Sequence, residues 1–435
     1  MDPLLIYVDK KTPRIGYIFD LIFEAILGME YEVTTSRERF LKTHAPVLAY
    51  SEKPMDKGIW IYSHHLLRQS GIEEVNLRYG HWNKLMVPFY TGFGPDLPFD
   101  IFAASFYLVT RYEEYLEFTP DRFGRFGAEQ SQAHKHRFLH LPVVDIWARK
   151  LGKILQVRYP EMQFTERTYR FISTIDVDQA WAYKYKGLLR QLGGAAAAIS
   201  RGQLADPLHR SLTLLGMKPD PYDTFQDILR IHDDKEVDCI YFFQVGKRGR
   251  WDKNLPGTHP KMQTLVRNIQ NHARVGIHPS IRSVHRNELD EELVIFSEAT
   301  GQKAIRSRQH YLRLTFPQTY QRLIKYGIAE DYSMGYPDAL GFRAGTATPF
   351  PFFDLSDNQR KDLMIYPFQF MDVTLKNYLR SGPQDAMLKI ESIIEQVRKV
   401  NGTLIGIWHN MSLSETGEWR MWKPVFNYMI EKALP

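Results

Sequence analysis

The sequence predicts an α/β protein: a smaller mixed α/β domain over residues 1–165, then β/α units around a parallel sheet or barrel over residues 166–435. Three observations carry this. A chain of 435 residues exceeds what one hydrophobic core usually supports. Beyond Tyr169, short apolar strands alternate with helical stretches, the pattern of parallel β/α units. Acids and histidines follow directly on several of those strands, where β/α proteins collect their active sites.

The first domain opens on an apolar strand, Leu4 to Val8, and continues through strand-like runs at Pro46 to Tyr50 and Gly58 to Tyr62. Between Phe99 and Phe118, apolar residues at Phe102, Phe106, Val109, Tyr112 and Leu116 recur at helical spacing, with Arg111, Glu113 and Glu114 between them. The run Asp121 to Phe126 reads either as a structural loop or as one that touches substrate. In the second domain the strands fall at Phe171 to Ile175, Cys239 to Val245, Arg274 to His278, Ala304 to Tyr311, Met364 to Phe368 and Thr403 to His409. Helices are expected at Glu288 to Thr300, Pro317 to Lys325 and Pro383 to Val400, with Gly301 and Gly402 placed to cap two of them. Residues 180–236 form an inserted helical stretch between the first two strands.

Composition narrows the class. With 44% apolar and 24% charged residues the chain is folded rather than disordered. A net charge of +6 over this length is too weak a field to predict a nucleic-acid partner, and Lys247-Arg248-Gly249-Arg250 reads as a solvated loop. The single cysteine, Cys239, sits in an apolar run, so a buried strand position is expected and a disulfide is not. The first residues lack the features of a signal peptide, and no run of about 18 apolar residues predicts a membrane span. A cytoplasmic protein is expected.

Four places carry candidate chemistry. Asp176 and Asp178 project the same way if their strand continues, and two such acids either hold a cation, share a proton or cap a turn. His278 precedes Pro279, which keeps it extended; it is either a ligand or a hydrogen-bonded structural residue. The same choice applies to His409 at the end of Leu404 to Trp408. Arg308 to His310 lie toward the end of the fourth predicted strand region.

Taken in order from Phe171 to Asn410, these residues resemble the polysaccharide deacetylases of carbohydrate esterase family four, the NodB-like group. Ser173 to Asp178 resembles the first family motif, whose first acid is the base and whose second is a metal ligand. Cys239 to Gly246 is similar to the second strand, and Gly276 to Ser280 to the motif whose histidine binds metal. Thr300-Gly301 followed by Arg308 to Tyr311 resembles the arginine motif, and Ile407-Trp408-His409 the last, where histidine is the general acid. Arg282 stands where the family has its second metal-binding histidine, leaving His310 and His285 as candidates, with His310 favoured at a strand end. Gly341 to Thr346 also resembles the arginine motif, so either Arg308 or Arg343 orients the base.

The resemblance implies a distorted (β/α) barrel of the deacetylase type. It further implies a divalent cation on Asp178, His278 and His310, zinc foremost, with nickel or cobalt also suited. Asp176 would be the base and His409 the acid, with backbone N–H groups binding the oxyanion. The implied reaction removes an N- or O-acetyl group from a carbohydrate. Tyr311, Trp408 and Phe350 are the candidate sugar contacts; Trp181, Tyr183 and Phe352 could stack on a sugar too, although aromatics at this density are mostly core. Hydrolysis of another C–N bond and an inert carbohydrate-binding module are the alternatives.

Overall fold

The computed structural model describes residues 2–200, 205–284 and 288–435. The chain forms two compact units. One comprises Met1–Arg170, Leu314–Gln369 and Ile393–Leu404; the other Phe171–Arg313, Phe370–Ser392 and Ile405–Pro435.

The first unit begins with a parallel sheet of β1 (Leu4–Val8), β2 (Tyr31–Thr34), β3 (Val47–Ser51) and β4 (Ile59–Tyr62), in the order β2-β1-β3-β4. Parallel neighbours need crossovers, and helices at Pro13–Phe19 and Arg37–Lys42 supply those from β1 to β2 and from β2 to β3. Thr12 caps the first helix by accepting the Ile15 N–H at 3.2 Å, with proline at the opening position. A hairpin follows, β5 (Tyr79–Trp82) with β6 (Leu85–Pro88). Its turn residues Asn83 and Lys84 both take positive φ, 50° and 66°, as a primed two-residue turn requires.

The helix expected over Phe99 to Phe118 is shorter. Asp100 starts it by accepting the Phe102 and Ala103 N–H groups, and it runs Ile101–Val109. Arg111 then adopts φ 55° and breaks it, because its buried guanidinium turns to Glu113 and Glu114 at 2.7 Å each. The loop at Asp121 is structural: that carboxylate accepts the N–H groups of Phe123 and Arg125.

The second unit is built on β7 (Arg170–Val177), β8 (Cys239–Phe243), β9 (Arg274–Ile277) and β10 (Arg306–Ser307), parallel neighbours in the order β10-β9-β8-β7. The chain then returns to the first unit for β11 (Glu330–Asp331), β12 (Phe350–Asp354) and β13 (Gln359–Ile365). There β13 pairs parallel with β11 and antiparallel with β12. Finally β14 (Phe370–Met371) and β15 (Thr403–His409) extend the second unit beyond β7, in the order β7-β15-β14.

These six strands make an open sheet rather than the expected barrel. In the observed order β10 and β14 are not paired with each other, so the strands do not close. The strand expected over Ala304 to Tyr311 is only β10, with a single turn at His310–Leu312 after it. The strand expected at Met364 to Phe368 instead ends at Ile365, just ahead of Pro367, which has no N–H to give a ladder.

Helices Glu288–Thr300, Gln318–Lys325 and Pro383–Lys399 match their expected positions, and three more, Leu188–Ser200, Ala205–Leu214 and Phe225–Asp234, lie between β7 and β8. Gly301 takes the left-handed cap at φ 71°. At the other helix Asn401 takes it, φ 51°, and Gly402 serves close approach instead: a Cβ there would lie 2.6 Å from that of Ala347. Among the described residues no helix is long and apolar enough to cross a membrane.

Candidate metal centre

Parallel pairing keeps the carboxyl ends of neighbouring strands level: Val177 lies opposite Phe243, Phe243 opposite Ile277, and Ile277 opposite Ser307. Each of the six strands then delivers a polar residue to that edge. Asp176 and Asp178 come from β7, Gln244 from β8, His278 from β9, Arg308 and His310 from β10, Asp372 from β14 and His409 from β15. Ligand sites of open parallel sheets form outside this edge.

Asp178 is the focus. His278 Nε2 lies 3.2 Å from its Oδ1, and the Nε2 atoms of His310 and His409 lie 3.4 and 3.6 Å from its Oδ2. The other nitrogen of each ring is already committed. His278 Nδ1 donates to the Arg308 carbonyl at 2.5 Å, His310 Nδ1 to Asp252 at 2.8 Å and His409 Nδ1 to Asp372 at 2.8 Å. In a neutral ring each Nε2 is thus a lone pair aimed at a carboxylate. Lone pairs facing one another repel unless a proton or a cation lies between them.

Donor atoms of Asp178, His278 and His310 all lie within 4.8 Å of one another. Ligands held roughly 2.0–2.2 Å from a tetrahedral cation stand about 3.3–3.6 Å apart, so the spacings around Asp178 suit such an ion. Asp178 Oδ1 is buried with no hydrogen-bond partner among the described residues, which also fits. Electrostatics agree. Burial would raise the Asp178 carboxyl, but His310 and His278, then His409, hold it well below the usual carboxylate range. Burial disfavours a charged His310, yet Asp178 and Asp252 raise it to about 9. This carboxylate gathers positive charge.

Asp176 borders that set, its Oδ2 lying 3.9 Å from His278 Nε2. Arg308 donates to its Oδ1 and to Thr174 Oγ1 at 2.8 Å each, while its guanidinium lies 4.4 Å over the Phe242 ring. Arg343, the alternative arginine, lies in the first unit, where it pairs with Glu114 at 2.5 Å. On the other side, His409 is held through both its main-chain N–H and its Nδ1 by Asp372, which Ser412 also engages. Burial opposes its charged form, but Asp372, then Asp178 and Asp176, lift His409 to about 10.

Arg282, at the position where a histidine was expected, is at the surface and pairs with Glu288. His285 lies outside the described residues. Of the aromatic candidates, Tyr311 is at the site, its ring 4.2 Å from that of His310 and 6.2 Å from that of Trp251. Trp408, Phe350, Trp181, Tyr183 and Phe352 are buried, as core packing requires. Sequence reasoning missed Asp252, Gln244, Asp372 and Trp251. The strand-end rule would have found Gln244, which follows directly on β8.

Residues 4–160 match a family profile described as "Family of unknown function (DUF7033)". No curated protein matches the chain. Among solved structures, the chain is similar to a provisionally assigned polysaccharide deacetylase from Mycobacterium smegmatis, with 12% identity, TM-score 0.42, and 63% of this chain and 86% of that one covered. It is also similar to a CE4 family pseudoenzyme from Bacillus anthracis (12% identity, TM-score 0.29, 61% and 60% covered). A third similar structure is a polysaccharide deacetylase from Bacillus cereus (9% identity, TM-score 0.30, 61% and 88% covered). At such scores the geometry of the centre has to carry the functional argument.

Proposed function

We propose that the second unit is a metal-dependent hydrolase that removes an acetyl group from a carbohydrate. The observation that supports it is the convergence at one sheet edge of a ligand set, Asp178, His278 and His310, flanked by an arginine-held acid, Asp176, and an acid-held imidazole, His409.

Two imidazole nitrogens and one carboxylate suit zinc, with cobalt or nickel as substitutes; such an ion polarises an acyl carbonyl and makes water nucleophilic. The chain's own residues supply the proton traffic. Asp176, kept accepting by Arg308, takes the proton of the attacking water. His409, kept protonated by Asp372, gives its Nε2 proton to the departing amine or hydroxyl. Tyr311 and Trp251 offer aromatic faces on which a sugar ring can lie.

Acetate release from a panel of N- and O-acetylated sugars, with and without a chelator, tests the proposal. The expected result is release that stops with the chelator and returns with zinc. Release from none of the panel by metal-loaded protein would sink it.

A further inference from the structure

The second unit also holds a cavity of about 1340 Å³ that the proposed reaction does not use. That exceeds the roughly 300–1,000 Å³ of pockets for a single small ligand. It opens beside the centre: Gln179, the residue after Asp178, lines it, as do Ser414 and Trp419 on the loop following His409. Lys186 Nζ donates to Gln179 Oε1 at 3.1 Å, and Asn410 ties the Gln179 and Tyr222 carbonyls together at 3.0 and 2.8 Å.

Its wall is cationic. Lys186, Arg210, Lys218 and Lys253 line it against the two carboxylates Asp206 and Glu418. Asp206 is already engaged by the Tyr183 hydroxyl at 2.6 Å and by Arg210 at 3.3 Å. Asp220, near Lys186, is taken up by the N–H groups of Ala182, Tyr183 and Lys184 at 2.7–2.9 Å. Burial, then Arg190, bring the Lys186 ammonium down to about 8; Asp220 opposes this, and Arg210 and Arg248 add to it. Arg210 also donates to Gln191 Oε1 at 2.9 Å, which leaves its buried Nε without a hydrogen-bond partner among the described residues. Its guanidinium lies 4.5 Å over the Tyr183 ring, and Tyr183, Tyr222 and Trp419 add aromatic surface to the same wall.

Clustered cations with an unused donor call for an oxyanion. We propose that this cavity receives a phosphoryl or carboxylate group of the substrate, held by Lys186 and Arg210, so that the enzyme acts on an anionic acetylated sugar. This rests on the deacetylase reading of the adjoining centre.

Three probes test it: N-acetylglucosamine, N-acetylglucosamine 1-phosphate and N-acetylmuramic acid, with acetate release measured on the zinc-loaded full chain. The anionic sugars are expected to give the higher kcat/KM, and whichever of the two leads identifies the oxyanion. Lys186→Gln, and separately Arg210→Gln should the first fail to fold, are expected to lower the ratio of anionic to neutral kcat/KM about tenfold, the effect of losing one charge-assisted interaction. A neutral sugar used as well as either anionic one, or a ratio unmoved by the substitutions, overturns the proposal. Release from none of the three sugars counts against the deacetylase reading instead. The cavity is then judged by calorimetric binding of the sugar phosphate: binding weakened by Lys186→Gln supports the proposal, and no binding overturns it.

Discussion

Asp176 on β7 and Asp178 just beyond it share His278, 3.9 and 3.2 Å from its Nε2, yet their other partners differ. Three imidazoles face Asp178 and one guanidinium holds Asp176. Asp178→Ala is therefore expected to lose bound zinc and activity together. Asp176→Asn is expected to keep zinc while kcat falls by a factor of about 10² to 10⁴, the usual contribution of a general base. Metal content and kcat measured on both variants check this, and a zinc-free Asp176→Asn protein would merge the two roles. A third acid governs the loop after His278. Glu292 accepts the Ser280 N–H at 3.0 Å and its hydroxyl, and burial raises its carboxyl to about 7 against the opposing pull of those bonds. An acid raised on folding stabilises below its unfolded value, near 4.5, and loses that contribution as pH climbs through about 7. Relative to Glu292→Gln, the wild type should thus lose on the order of 3 kcal/mol of stability between pH 4 and pH 8. Urea unfolding of both proteins at the two pH values measures it; a gap independent of pH contradicts it.

At the scale of elements, the centre depends on strands ending level, and that depends on close packing beneath. Gly276 on β9 is such a point: a Cβ there would lie 2.6 Å from the Phe242 ring and 3.0 Å from the Arg306 carbonyl. Phe242 in turn underlies Arg308, which holds Asp176. Gly276→Ala is expected to cost about 1–3 kcal/mol, as overpacking does, and to lower kcat by displacing Arg308. An unchanged denaturation midpoint would show that Phe242 can move aside freely. These strands also explain what was legible beforehand. β7, β8, β9 and β15 are apolar runs closed by a polar residue, so their site residues could be read from pattern alone. β14 is two residues long and leaves no periodic signal, which hid Asp372. Asp252 reaches His310 from the loop after β8, a contact between segments 58 residues apart that no local pattern encodes. The hairpin β5–β6 was hidden differently: Asn83-Lys84 makes the primed turn without its usual glycine. The openness of the sheet was not legible either, because strand order and closure depend on which distant strands pair.

At the scale of the whole chain, a cation on Asp178, His278 and His310 would join the ends of β7, β9 and β10, which lie at about residues 178, 278 and 310. Those three elements are otherwise linked by parallel ladders, the last of them only two residues long. A ligand that binds only the folded state stabilises it by about 2.7 kcal/mol at a hundred times its dissociation constant. The stabilisation should be local, because the ligands all belong to the second unit while β1 to β4 belong to the first. Amide hydrogen exchange with zinc and with chelator reads this directly. Removing the metal is expected to speed exchange in β7, β9 and β10 and in the turn at His310–Leu312, and to leave β1 to β4 unchanged. Asp178→Ala should show the faster pattern whether zinc is present or not. Equal exchange in both conditions would mean that the three strands hold their edge without an ion, and the cluster would then be a set of hydrogen-bonded side chains.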